Sequence, residues 1–177
     1  MKHPGDTGAR AATIELLLLD VDGVLTDGSV LYADDGTELK RFHVRDGSGL
    51  KLWRAAGKRA AILSGRRSVA VDRRAAELGI APVIQGCEDK LAGLATVLVQ
   101  TGVPPERVCA IGDDLPDVPL FRRCGLAISV ADACAEARAA AHFVTSAPGG
   151  RGAVREAIEW LLRASGSWNE LTARYTG

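Results

Sequence analysis

LLLLDVDGVLTDG, residues 16–28, runs four leucines directly into two aspartates one residue apart, Asp20 and Asp22, with Asp27 close behind. A short apolar run that ends abruptly on charge has the length and composition of a strand buried on both faces, the kind found in parallel sheets. Two carboxylates at the mouth of such a strand crowd each other in a partly dry site unless a cation lies between them. The stretch therefore predicts a central strand whose carboxyl end carries an acidic, cation-holding site.

Working outward, five more apolar runs follow at strand length: RAAILSG (59–65), APVIQG (81–86), RVCAIGDD (107–114), GLAISVAD (125–132) and HFVTS (142–146). Helical patterns separate them. One covers about 47–56 and stops at Gly57; SVAVDRRAAELG has Ser68 as a candidate N-cap and Gly79 as a stop. EDKLAGLATVLVQTG (88–102) places Leu91, Leu94, Ala95 and Leu98 on one face, and ACAEARAA and RGAVREAIEWLLRAS complete the set. Strand and helix alternating at this spacing predict an α/β fold, a Rossmann-like parallel sheet with helices on both faces. Residues 27–47 interrupt the alternation. There SVLY, the turn signal ADDGT and ELKRFHV read as a β-hairpin centred on Asp35-Gly36. The expected organisation is a flexible leader over 1–12, one catalytic domain over 13–165, and a C-terminal tail over 166–177.

Composition narrows the function classes. The chain of 177 residues is 47% hydrophobic but only 5% aromatic, so its core must be aliphatic. Twenty-two basic and 22 acidic residues cancel, which gives no support to nucleic-acid or membrane-surface binding. Cys87, Cys109, Cys124 and Cys134 form no C-x-x-C pair and read as thiols in a reducing compartment. No segment approaches the ~20 apolar residues of a membrane span, and no signal-peptide stretch precedes Asp20. A cytoplasmic location is expected.

In open parallel sheets ligands bind beyond the carboxyl ends of the strands. Asp20 and Asp22, Ser64-Gly65-Arg66, Lys90 and Gly112-Asp113-Asp114 all follow predicted strands, so they are expected on one edge. Asp20 and Asp113 are oxygen donors of the kind Mg²⁺ prefers. Ser64 offers a hydroxyl and nearby amides, and Lys90 a compact positive charge, to phosphoryl oxygens. A carboxylate nucleophile, a metal, a lysine and a hydroxyl together make a phosphoryl-transfer site. Taken singly each signal has a plainer reading: Ser64 and Asp46 as helix caps, Lys90 and Arg66 as solvated surface groups, His43 as a hairpin surface residue. The joint order carries the inference.

LDVDGVLTDG, ELKRFHVRDGSG, ILSGRRS, QGCEDKL, IGDDLPDVPLF and APGGRGAVREAIEWLL, spread over residues 16–165, resemble the haloacid dehalogenase superfamily of aspartate-nucleophile phosphatases. The likeness is strongest to its capless, tetrameric branch acting on 3-deoxy-D-manno-octulosonate 8-phosphate (Kdo-8-phosphate), an eight-carbon keto-sugar acid ester on the way to lipopolysaccharide. The resemblance implies that Asp20 forms an aspartyl-phosphate and that Asp22 is the acid and then the base. It implies Mg²⁺ on Asp20, the backbone carbonyl of Asp22 and Asp113, with Asp114 and Asp117 supporting them. Ser64, Gly65 and Lys90 would bind phosphate. Arg66, Arg45 and Asp46 are the substrate-binding residues expected, Arg66 because a guanidinium fork pairs with a carboxylate. Arg151 in GGRG reads equally as a ligand neighbour or a helix-cap residue.

Asp20 and Ser64 stand 44 positions apart, mostly taken by the hairpin and first helix, so no cap domain fits there. By resemblance, hairpins of four subunits assemble and neighbours wall each other's sites, with Lys40 or Arg41 reaching an adjacent chain. Alternatives at this stage are a phosphatase for a nine-carbon keto-sugar acid 9-phosphate, a promiscuous phosphosugar phosphatase, a receiver-like phospho-switch, and a catalytically dead assembly module.

Overall fold

The computed structural model describes residues 4–176. The four leucines form β1 (Leu16–Leu19), each at most 1% exposed. A small antiparallel hairpin, β2 (Leu31–Tyr32) and β3 (Glu38–Leu39), follows, closed through Asp35-Gly36 with Ala33 donating to the Thr37 carbonyl. The remaining strands are β4 (Arg59–Ser64), β5 (Val83–Gln85), β6 (Val108–Gly112), β7 (Leu126–Ser129) and β8 (Phe143–Val144). With β1 they form one sheet in the order β5-β4-β1-β6-β7-β8, every pairing parallel. All six apolar runs are strands. The strands are shorter than the runs because the flanking residues, such as Gly65 and Asp113-Asp114, turn away into loops.

The chain steps from β1 outward to β4 and β5, then returns to β6 on the other side of β1. The crevice between β1 and β6 is therefore the switch point at which doubly wound sheets bind ligands. Register puts Leu19 level with both Ile62 and Ile111; β6 runs one residue further to Gly112 and β4 two to Ser64, so the loops after all three strands leave on the same edge of the sheet.

Helices α2 (Val44–Ala55) and α3 (Val69–Leu78) connect the strands of the first half. Helices α4 (Lys90–Thr101), α5 (Val118–Arg123), α6 (Ala135–Ala140) and α7 (Ala153–Ala164) serve the second. α2 packs on α7 and α3, while α4 packs on α5 and α5 on α6. Gly79 closes α3 in the left-handed conformation at φ 67°; Ser68 stands at the N-cap position without making a capping bond. α4 is capped instead by Asp89, whose carboxylate accepts from the amides of Leu91 (2.9 Å) and Ala92 (3.2 Å). That cap places Lys90 in the first turn.

Two segments differ from expectation. Most of the expected leader is helix α1 (Pro4–Thr13), which packs on α7 and β7 and buries Ala11 completely; residues 1–3 of that leader lie outside the described residues. Its glycines and proline suggest a loop, but burial of Ala11 and the following Ile14 outweighs their helix cost. The tail contains α8 (Trp168–Thr176), which folds back on α7 and sets Trp168 under the guanidinium of Arg163, 4.6 Å from the ring centroid. Among the described residues no helix is long and apolar enough to cross a membrane.

Candidate active site

Asp20 is the residue at which β1 leaves the sheet. Its amide still donates to Ile111 of β6 (3.0 Å), so its position is tied to the neighbouring strand. Lys90, 5% exposed, donates to Asp20 Oδ2 and to Asp117 Oδ1, both at 2.6 Å. Asp117 is itself buried, and its second oxygen accepts from the amides of Asp113 (3.0 Å) and Asp114 (3.4 Å). One carboxylate thus fixes both the lysine and the loop after β6. Asp113 comes close to the loop after β1 because residue 23 is glycine: a Cβ there would collide with the Asp113 carboxylate, and φ of 81° disfavours any other residue.

These groups open on a cavity of about 530 Å³ lined by Asp20, Asp22, Ser64, Gly65, Arg66, Lys90, Asp113 and Asp114. The four strand-end segments singled out in the sequence therefore meet in one place. A larger cleft of about 670 Å³, bounded by α2, α7 and α8, carries Lys51, Arg155, Arg163 and Trp168 but none of the acidic groups.

Electrostatics make the acidic cluster incomplete as it stands. Oxygens of Asp20, Asp113 and Asp117 lie within 4.8 Å of one another. Burial, against the pull of Lys90 and with the repulsion of Asp117, pushes the Asp20 carboxyl up to about 6. Burial and then the charges of Asp20, Asp117 and Asp114 push Asp113 up to about 7. Burial works against the Lys90 ammonium, but Asp20 and Asp117 outweigh it and hold its pKa above the ordinary lysine value. Three carboxylates against one lysine leave an excess of negative charge, and the Asp113 carboxylate accepts no hydrogen bond among the described residues. Hard oxygen donors crowded in this way fit a small divalent cation.

Asp22 faces the other way. Its carboxylate is gripped by Lys40 and lies 3.7 Å from Arg66, while Glu38 contacts both Lys40 (3.2 Å) and Arg66 (3.0 Å). Arg41 pairs with Asp27, which Arg151 approaches at 3.6 Å. Lys40 and Arg41 thus contact acids of their own chain.

Arg45 and Asp46 are not brought to the cavity. Arg45 is exposed on the first turn of α2. Asp46 is buried with its carboxylate turned onto the amides of Gly152 (3.3 Å) and Arg155 (2.8 Å), where it caps α7. That placement is the helix-cap reading of Asp46, at α7 rather than at α2: an unsatisfied helix N-terminus nearby attracts the carboxylate inward. His43 is half-buried beside Asp46, 3.9 Å away, rather than a free surface residue. The glycines before Arg151 bring backbone against the loop after β1. Gly150 donates to Val24 O at 2.9 Å, and a Cβ on Gly149 would overlap the Gly23 carbonyl. Glu38 and the same-chain grip of Lys40 were missed. Their signal was the E-x-K spacing, which puts both side chains on one face of a strand.

Residues 81–158 match the family of haloacid dehalogenase-like hydrolases. Over 165 residues the chain is 43% identical to the 3-deoxy-D-manno-octulosonate 8-phosphate phosphatase of Escherichia coli strain K12, covering 93% of this chain and 88% of that protein. It superposes with a TM-score of 0.95 at 41% identity on the Moraxella catarrhalis enzyme of that name, solved with a magnesium ion, a phosphate ion and Kdo. That match covers 98% of this chain and all of the other. The corresponding Yersinia pestis structure gives 0.90 at 43% identity over 93% and 89% of the two chains.

Proposed function

The chain belongs to the haloacid dehalogenase-like hydrolases, in the branch of the 3-deoxy-D-manno-octulosonate 8-phosphate phosphatases, and from that membership we propose that it hydrolyses Kdo-8-phosphate to Kdo and inorganic phosphate. It is a phosphoric monoester hydrolase and its metal is Mg²⁺. The observation that carries the reading is the convergence of Asp20, Lys90, Asp113, Ser64 and Arg66 on one cavity at the switch point of the sheet.

In the mechanism this arrangement supports, Asp20 attacks phosphorus and the bond to the sugar oxygen breaks. Asp22 gives its proton to the departing alkoxide. In the second half Asp22 takes a proton from water, whose oxygen attacks the aspartyl-phosphate and frees Asp20 and phosphate. Lys90 and the Ser64 hydroxyl hold phosphoryl oxygens, offsetting the repulsion between a dianionic ester and an anionic nucleophile. Asp20, Asp113 and the backbone carbonyl of Asp22 would hold Mg²⁺, which when bound would add its two positive charges to that neutralisation. Arg66, at the cavity rim, is placed to pair with the substrate carboxylate.

A tetramer built through the hairpin, and a cytoplasmic location, belong to the same reading. The hairpin supports the first: Val30, Leu31, Tyr32 and Leu39 are 46–65% exposed, an apolar surface on a ribbon with open edges.

The test is phosphate release with Mg²⁺ from Kdo-8-phosphate, a nine-carbon keto-sugar acid 9-phosphate and plain phosphosugars. The eight-carbon ester is expected to have the highest kcat/KM, and Asp20→Asn to lower kcat by at least ~10³-fold, the scale seen when a covalent nucleophile is removed. A higher specificity constant for another ester would overturn the substrate assignment; full activity in Asp20→Asn would overturn the mechanism.

A further inference from the structure

We propose that Lys40 is a positioning residue for Asp22 of its own chain, the hairpin thereby setting the proton-transfer arm of the reaction; the proposal rests on the phosphatase reading above. Four side chains alternate in sign around a closed ring at the cavity rim. Lys40 donates to Asp22 Oδ1 and contacts Glu38 (3.2 Å); Glu38 contacts Arg66 (3.0 Å); Arg66 Nε lies 3.7 Å from Asp22 Oδ2. Glu38 and Lys40 stand two residues apart at the end of β3 and so point to the same side.

The ring has an asymmetry that matters for proton transfer. The Lys40 side chain is only 2% exposed, whereas Asp22 keeps 23% of its side chain open. Nothing in the sheet holds the Asp22 carboxylate, unlike Asp20, which is tied by Val21 and Lys90. The buried ammonium pins Oδ1 of Asp22; Oδ2, with Arg66 Nε 3.7 Å away and part of the side chain open, is the oxygen that can exchange a proton with a leaving group or water. Arg41, next in sequence, ties the following turn by pairing with Asp27. An untethered acid would sample geometries in which the proton cannot reach the alkoxide, and a misplacement of about 1 Å can cost on the order of 10²-fold in rate.

The readout is leaving-group dependence. Departure of an alkoxide needs a proton; departure of p-nitrophenolate does not. The kcat/KM values cover binding and leaving-group departure and exclude hydrolysis of the aspartyl-phosphate, which is common to all three esters. Kdo-8-phosphate, glycerol 1-phosphate and p-nitrophenyl phosphate are compared with Mg²⁺ in the wild-type protein, Lys40→Met and Lys40→Arg. Lys40→Met is expected to lose at least ~10-fold more kcat/KM on both alkyl esters than on p-nitrophenyl phosphate, part of the roughly 10²–10⁴-fold that general acid catalysis contributes as a whole. Lys40→Arg is expected to regain part of that selective loss. Equal losses on all three esters, or none, would overturn the proposal. So would a loss confined to Kdo-8-phosphate, which would make Lys40 a substrate contact. If Lys40→Met does not fold, Lys40→Gln gives the same ratio. Failure of the substrate assignment is read separately, in a wild-type protein that turns over glycerol 1-phosphate but not Kdo-8-phosphate.

Discussion

Asp46 stands in the first turn of α2 with its carboxylate 2.8 Å from the Arg155 amide, more than a hundred positions away in sequence. Burial raises its pKa, and the amides of Arg155 and Gly152 pull against that by favouring the charged form. Such a group holds two helices together. Asp46→Ala leaves two partly buried amides at the N-terminus of α7 without this acceptor, at a cost of up to about 1–3 kcal/mol for each group left unsatisfied. A clear fall in the denaturant midpoint is therefore expected, with kcat/KM changed by less than the stability loss would suggest. An unchanged midpoint combined with a large rise in KM would instead return Asp46 to the substrate.

The hairpin is the element with two tasks. One face carries Glu38 and Lys40 to the rim of the cavity; the other leaves Leu31 and Leu39 exposed. Leu31 and Leu39 are direct cross-strand partners, so they present one apolar pair. Replacing both with Asp puts like charges opposite each other on the ribbon and into any interface it makes. Sedimentation of that double variant is expected to give species smaller than those of the wild-type protein, while an unaltered size would remove the hairpin from the proposed assembly.

Across the protein the acidic cluster couples stability to pH and metal. Asp20 and Asp113, raised to about 6 and about 7, bind more protons in the folded chain than in the unfolded one from about pH 4 upward. Without metal, stability is therefore greatest on the acid side of this window, declines as pH rises through it, and stays lower above pH 7. Mg²⁺ competes with those protons, so it stabilises most where both carboxyls are ionised. At ~100 times its dissociation constant Mg²⁺ adds about 2.7 kcal/mol, roughly 5–10 °C in Tm for a chain of this size. That rise is expected at pH 8 and should shrink toward zero at pH 5. A rise of the same size at both pH values would mean that these carboxylates do not hold the ion.

The alternation of apolar runs with helical periods was sufficient to place all six sheet strands: β1, β6 and β7 are buried throughout and so continuously apolar, while the edge strands β5 and β8, only partly buried, were marked by short apolar runs between helical patterns. The convergence of the residues lining the cavity was legible for a related reason: in a parallel sheet every strand ends on the same edge, so residues just after strands meet without further information. Other features depended on contacts that no local pattern encodes. Helix α1 exists because Ala11 and Ile14 find a surface to bury against. Asp46 turns inward because the N-terminus of α7 lies behind it, and Lys40 meets Asp22 because the hairpin folds over its own strand. Helix-forming tendency and strand alternation act over a few residues, whereas burial and charge pairing are settled by whichever distant groups the completed fold brings within reach.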